Sequence, residues 1–441
     1  MKPSSHASGV DVHKSSIDVQ KNVQQKETLN VAIVGFGTVG SSVAKILSSH
    51  PAPGLRLTHV YNRGVARKKV DWLPKVKWTE DINDVLSADV DIIVEVVGGL
   101  TPAGDWIRKA LSSGKSVVTA NKQLIAHHGP ELIALAKKSG RHIAFGASVA
   151  GGVPVISGLQ EGLAGDDLSK IYGILNGTCN YILSQIDKRG ISFAEALAEA
   201  QKLGFAEADP TDDVDGYDAR AKLTILARVG LHSDGKPGKV LCRSIRPIEA
   251  IDFVYARQLQ STIRQVSWAE LIGENLLAAV QPAIVSESSP LASVEGGRNL
   301  VMSTGKFGGE IIFAGHGAGG NPTAVAVVSD ILAIARAKHG GSNGLAEITA
   351  VPRNVTNDYT SRHYLRFIVK DRPGIIATIA TILSKNDINI DSVLQKPGYS
   401  DASLPFVITL ESCKSSLVEK ALEQMSKLDF MVQPCVHLPI L

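Results

Sequence analysis

The densest chemistry in the sequence lies between Gly204 and Lys222, where Glu207, Asp209, Asp212, Asp213, Asp215 and Asp218 precede a lysine within nineteen residues. Asp218 and Lys222 stand four apart, so on a helix they share one face. An ammonium held by a carboxylate can steady a developing oxyanion and then protonate it. Without context, the same pattern is also an exposed helix pair beside an Asp-rich turn. A second lysine, Lys122, follows Asn121 at the end of the apolar run KSVVTA. Upstream, Gly35-Phe36-Gly37-Thr38-Val39-Gly40 leaves the run LNVAIV and opens the helical pattern TVGSSVAKILSSH. In this GxGxxG context the first glycine allows a tight turn, the second an open approach for pyrophosphate, and the third close helix–strand packing. It points to a dinucleotide; the alternative is a glycine-rich turn that binds nothing. About twenty residues further on, where a ribose 2′-OH would need a carboxylate, the sequence reads Tyr61-Asn62-Arg63. Arg63, backed by Arg67, Lys68 and Lys69, favours a 2′-phosphate and hence NADP over NAD. A solvated basic helix start is the competing reading.

These residues need a scaffold. The runs LNVAIV, RLTHVYN, DVDIIVEVV, KSVVTANK and RHIAFGAS alternate with helical stretches, which predicts a doubly wound parallel sheet of Rossmann type over 29–150, class α/β. In such a sheet the ligand lies beyond the carboxyl ends of the strands, so Gly98, Gly99, Asn121, Lys122 and Ser148 are expected around the nicotinamide, with Val97 among the cofactor contacts. Residues 151–323 read as an α+β substrate and dimerisation domain, and about 324–340 as a helix returning to the first domain. Residues 341–361 read as a linker, and 362–441 as a separate βαββαβ unit. The first 28 residues are polar and without periodicity, a disordered tail with no apolar signal core.

Composition narrows the partners. With 46 basic and 43 acidic residues among 441, no electrostatic footprint for nucleic acid exists, and no apolar run is long enough to span a membrane. Cys179, Cys242, Cys413 and Cys435 show neither disulfide nor zinc spacing, which fits a cytoplasmic protein. Cys179 reads as a small core residue, and His127 and His128 as loop or surface residues.

The strings GFGTVG, VEVVGG, VVTANK, ASVAGGVPVI, GILNGTCNYIL and LGFAEADPTDDVDGYDARAKLTILA, with the later GHGAGGNPTAVAVVSD, resemble homoserine dehydrogenases in order and spacing. The segment YLRFIVKDRPGIIATIATIL…INIDSVLQ resembles an ACT domain. The resemblance implies NAD(P)-dependent interconversion of L-aspartate 4-semialdehyde and L-homoserine. It assigns Lys222 as proton donor and acceptor and Lys122 as a second lysine near substrate and nicotinamide. Glu207 and Asp218 would hold the substrate amino group and orient the lysine, with Asp213 and Thr178 in the substrate pocket and Gly204 and Gly319 beside the cofactor. Competing assignments are another amino-acid-pathway dehydrogenase, which leaves the Glu207–Lys222 cluster unexplained, and a non-catalytic NADP or amino-acid sensor, which would not need both lysines.

One position departs from the family pattern. Where many members have a glutamate that helps bind a monovalent cation, this chain has Gly146, leaving only the carbonyls of Val149, Gly151 and Val153 for a weak sodium site. For the C-terminal unit, the resemblance implies an amino-acid effector, L-threonine, at the Gly374-Ile375 turn, with Asn386 and Ile388 lining the same pocket from a paired domain. It also implies a homodimer or homotetramer, and a regulatory unit whose removal after about Arg362 would leave activity intact.

Overall fold

Six short strands begin the fold: β1 (Leu29–Val34), β2 (Leu55–Tyr61), β3 (Lys77–Thr79), β4 (Ile92–Glu95), β5 (Ser116–Thr119) and β6 (Ile143–Ala144), all parallel in the order β3-β2-β1-β4-β5-β6. The computed structural model describes residues 28–49, 54–338 and 350–441; the expected tail, but for residue 28, lies outside them. Every residue of β1, β4 and β5 is buried, because helices cover both faces and the strands can be apolar throughout. β3 is not among the expected strands: its KWT is too short to carry a period. Helix Thr38–Ser49 leaves the β1 glycine turn, and helix Gly320–Lys338 returns from far along the chain to pack beside it, near the expected 324–340.

The second sheet is mixed. From one edge it runs through Gly309–His316, Arg298–Gly305, β7 (Leu168–Ile174), Ser261–Ile272, Asn275–Ser286, Val436–Ile440, Thr360–Val369, Leu404–Lys414 and Ile390–Gln395. Its two twelve-residue strands, Ser261–Ile272 and Asn275–Ser286, pair antiparallel around a two-residue turn at Gly273 and Glu274. Both are buried on both faces almost throughout, so they lack the alternation that would announce them. Over one face lie helices Gly177–Arg189 and Tyr217–Gly230, which share the apolar core with the strands.

The C-terminal βαββαβ order is as expected, with helices Ile375–Lys385 and Ser415–Met425 on one side. Two expectations need correction. Of the linker, residues 341–349 lie outside the described residues, but Val351–Pro352 pairs with Ser233–Asp234 and Asn354–Thr356 pairs with Asn275–Leu277. Backbone groups left open at those strand edges are satisfied by this passing chain. The C-terminal unit, expected to be separate, also shares a core with the substrate domain. Tyr364, Val407, Val436 and Leu438 belong to the same core as Ile182, Leu183, Ile263 and Ile284, and Leu441 N–H donates to the Ile284 carbonyl at 2.9 Å.

Candidate active site

Asp218 is the centre of the site. Helix Tyr217–Gly230 starts after Gly216, whose φ of 87° turns the chain, and places Asp218 and Lys222 on one face. Asp218 is buried. Its Oδ2 accepts Lys222 Nζ at 2.8 Å and Asn176 Nδ2 at 2.9 Å, and its Oδ1 lies 3.1 Å from Lys122 Nζ. Burial alone would raise the pKa of this carboxyl, but Lys222 and Lys122 outweigh that and hold it at about 2. Lys122 is held above its ordinary value, first by the charge of Asp218. The carboxylates thus prevail over any depression that one lysine imposes on the other there. Lys222 Nζ also donates to the Leu175 carbonyl at 2.8 Å.

Neighbouring turns supply the rest. Asn176 caps helix Gly177–Arg189 through Cys179 N–H at 2.8 Å, and its amide donates to Asp213 Oδ1 at 2.6 Å, so one side chain joins both carboxylates. Burial pushes the Asp213 carboxyl up. Thr178 donates its hydroxyl to the Phe205 carbonyl at 2.7 Å, tying down the loop that carries Gly204 (φ 77°) and Glu207. Glu207 itself is exposed and makes no side-chain hydrogen bond or ion pair with the described residues; in this chain it stands on the loop and not in the lysine cluster. Cys179 is buried, with Sγ donating to the Asp213 carbonyl at 3.1 Å and its thiol pKa raised by burial. His127 is exposed, and His128 lies beside Glu131 at 3.5 Å on the surface.

The glycine fingerprint has the steric form a dinucleotide requires. A Cβ on Gly40 would stand 2.0 Å from the Gly35 carbonyl oxygen, and Gly35 has φ 105°, whereas Gly37 faces open space. Phe36 is buried, its N–H donating to Asn62 Oδ1 at 3.0 Å, while Thr38 is exposed at the helix start beside half-buried Val39. Arg63 is exposed just beyond β2. Val97 and Gly98 lie at the end of β4, and Gly319 (φ 119°) precedes the returning helix.

Three residues that the sequence pattern does not single out hold this geometry. Glu95, at the end of β4, is 1% exposed and accepts hydrogen bonds from Val97 N–H, Gly98 N–H and the Thr119 hydroxyl. Arg228 reaches from the Asp218 helix to the carbonyls of Ile125 and Ala126, at 2.7 and 3.0 Å, on helix Lys122–Lys138. Asp330, on the returning helix, accepts Gly146 N–H at 2.8 Å. The only sequence signal for the first is a carboxylate closing an apolar strand; the other two give none.

The Asp330 contact bears on the cation site. A Cβ on Gly146 would stand 2.8 Å from Asp330 Oδ1, so a glutamate there would meet this carboxylate. Among the described residues no group of three or more His, Cys, Asp and Glu side chains is placed to hold a metal. Of the three carbonyls, that of Val153 already accepts Val155 N–H at 2.8 Å. The residues present do not fit a charge-balanced cation site, and no step of the reaction is routed through one.

In the C-terminal unit a cavity of about 260 Å³ is lined by Val369, Asp371, Gly374, Ile375, Gln395 and Phe406, among others. Gly374 has φ 93° and opens helix Ile375–Lys385 without a side-chain cap. Within one chain Asn386 and Ile388 do not line this cavity; the expectation for them concerns a paired domain. Asn386 is buried, its amide turned back onto the Ile382 carbonyl at 2.8 Å, and Ile388 is part of the core.

Comparison with known proteins gives the chain's relatives. Residues 35–146 match the family model of the homoserine dehydrogenase NAD binding domain, 154–332 that of homoserine dehydrogenase, and 363–430 that of the ACT domain. The homoserine dehydrogenase of Bacillus subtilis is 36% identical over 396 residues, covering 87% of this chain and 92% of its own. The structure of a homoserine dehydrogenase from Thiobacillus denitrificans superposes with a TM-score of 0.88 at 30% identity, covering 94% of this chain and 98% of that one. A hyperthermophilic archaeal homoserine dehydrogenase in complex with NADPH gives a TM-score of 0.61 at 29% identity, covering 72% and 99%. With the glycine turn, the substrate-domain sheet and the C-terminal unit all matched in one chain, this protein belongs to the homoserine dehydrogenase family.

Proposed function

We propose that the Asp218-centred cluster carries the proton chemistry of homoserine dehydrogenation, with Lys222 as proton donor and acceptor, and that the preferred cofactor is NADP(H). The observation that carries this reading is the three-way grip of Lys222, Lys122 and Asn176 on one buried carboxylate. When bound, the nicotinamide supplies or accepts the hydride. As the aldehyde carbon is reduced, negative charge grows on its oxygen. Lys222, fixed by Asp218 and the Leu175 carbonyl, stabilises that charge and gives up a proton to it, and in the reverse direction takes the proton from the homoserine hydroxyl. Lys122 keeps the site cationic beside it. Asp213, Thr178 and Glu207 complete the substrate pocket, Glu207 from the loop that Thr178 anchors. Asp218 is committed to the lysines and serves the substrate's amino group through the same carboxylate.

For the cofactor, the Gly35–Gly40 turn receives the pyrophosphate at the N-terminus of helix Thr38–Ser49, and Arg63 meets a 2′-phosphate. The exposed guanidinium and the absence of a carboxylate at the end of β2 support NADP, as does the NADPH complex of the archaeal relative. An amino-acid effector, for which we assign L-threonine by family resemblance, fits the Gly374 cavity, its carboxylate facing the free N–H groups of helix Ile375–Lys385. The assembly we assign is a homodimer or homotetramer in the cytoplasm, with free cysteines and, among the described residues, no helix able to cross a membrane.

Homoserine oxidation assayed with each cofactor tests the reading. Lys222→Ala should abolish turnover while cofactor binding persists, and Arg63→Ala should weaken NADP(H) by about tenfold or more and NAD(H) little, the loss expected for a charge-assisted phosphate contact. Normal turnover in folded Lys222→Ala removes the lysine from the mechanism, and equal losses for both cofactors remove Arg63 from the phosphate site.

A further inference from the structure

The geometry points to Glu95 as a positioning residue that locks the loop after β4 to the turn bearing Lys122, and so fixes the distance between hydride donor and proton donor. The bonds form a closed ring. Glu95 Oε1 accepts Val97 N–H and Gly98 N–H, each at 2.8 Å, and Oε2 accepts the Thr119 hydroxyl at 2.6 Å. Thr119 Oγ1 in turn accepts Asn121 N–H at 3.0 Å, and Asn121 Nδ2 closes the circle on the Gly99 carbonyl at 2.6 Å. The proton directions follow without ambiguity. Asn121 N–H donates to Thr119 Oγ1, and the Thr119 hydroxyl donates its own proton to Glu95 Oε2.

Every hub of the ring is out of solvent: Glu95 is 1%, Thr119 0% and Asn121 5% exposed. A buried acceptor with three donors is costly to disturb, because each orphaned group loses its partner where no water replaces it. On the other side of the ring, Val97 is exposed and Gly98 half-buried, and a Cβ on Gly98 would meet nothing within 4 Å, so the loop presents open backbone. Asn121 also caps helix Lys122–Lys138 through Leu124 N–H at 3.1 Å, so the same side chain sets the first turn from which Lys122 reaches Asp218. Glu95 therefore touches neither substrate nor reacting atoms. It acts through Gly98 and Asn121.

This inference rests on the placement of the nicotinamide beyond β4 and β5 given above. Glu95→Gln tests it: the amide oxygen still serves the two backbone N–H groups, while the NH₂ faces Thr119 and leaves that hydroxyl's proton without an acceptor. We expect kcat to fall by about ten- to a hundredfold, the cost of an ångström-scale misplacement, with KM for homoserine and cofactor affinity within about threefold on the same grounds. The primary isotope effect with 4-deuterated NADPH should rise as hydride transfer becomes limiting. The pair Thr119→Val and Thr119→Ser supplies a second measurement should Glu95→Gln fail to fold: serine should retain near-native kcat and valine lose it. Native kcat and isotope effect in Glu95→Gln, or valine and serine behaving alike, overturn the inference. Lys122→Ala with normal turnover would instead overturn the placement of the site.

Discussion

A single carboxylate shared by two ammonium groups shows how burial and charge compete at one residue. Asp218 is buried, yet stays ionised because Lys222 and Lys122 are both within about 3 Å. Asp330 shows the opposite balance. It is half-buried, and its partners are the N–H groups of Gly146 and Ala147 with, among the described residues, no cation, so desolvation raises its pKa to about 7. The consequence for stability has a definite sign. The folded protein holds this proton across the range from the ordinary carboxylate value of 3.8 to about 7, whereas the unfolded chain releases it. The contribution is thus full below about pH 4, declines as pH rises to about 7, and is constant above. Asn is the uncharged shape of the protonated acid, so Asp330→Asn should melt like the parent near pH 4.5 and above it at pH 8. Parallel melting curves of the two proteins across that range would show that Asp330 does not titrate in the fold.

Helix pairing, one level up, decides whether the two lysines meet at all. Lys122 and Lys222 sit on helices from different halves of the chain, and Arg228 joins them by donating to Ile125 and Ala126 carbonyls while its Nε donates to Asp234 at 2.9 Å. The approach is possible only because residue 129 has no side chain: a Cβ there would stand 2.6 Å from the Arg228 guanidinium. We expect Gly129→Ala to push the helices apart, lowering kcat by about tenfold and stability by about 1 to 3 kcal/mol, as overpacking does; a steady-state assay and a urea melt measure both, and an unaltered kcat would free Lys122 from dependence on this contact. The same contrast explains what can be read in advance. Asp218 and Lys222 are four residues apart and the glycine turn spans six, so helix periodicity and motif spacing expose them. Thr119 meets Glu95 across 24 residues, Ile125 meets Arg228 across 103, and Gly146 meets Asp330 across 184. Such partners are set by sheet order and the returning helix, and local pattern carries no trace of them. The long strand pair Ser261–Ser286 stays hidden for a related reason: burial on both faces erases the alternation that marks a strand.

In the whole molecule the C-terminal unit behaves as a structural part of the enzyme. Asp252, on helix Ala250–Gln258, accepts Tyr364 Oη at 2.9 Å and Arg366 Nε at 2.7 Å, all three side chains being buried, and Arg366 also donates to the Pro247 carbonyl at 2.9 Å. Pro247 belongs to the segment whose Ile245 N–H and Ser244 hydroxyl hold the Val214 carbonyl, one residue beyond Asp213 of the substrate pocket. A continuous chain of bonded groups therefore runs from the C-terminal unit to the proposed substrate pocket. The same contacts argue against a dispensable domain. Removing everything from Thr360 onward would strip Asp252 of its partners Tyr364 and Arg366 and expose the faces of Ile182, Leu183, Ile263 and Ile284 that Tyr364, Val407, Val436 and Leu438 cover. We therefore expect the truncated chain to be insoluble or unfolded, whereas Tyr364→Phe, which removes one hydrogen bond and no volume of note, should fold, turn over homoserine normally and lose part of its response to the effector. Circular dichroism and activity of the two variants separate the alternatives: a soluble, fully active truncation would show that the seam is a tether and that the catalytic half stands alone.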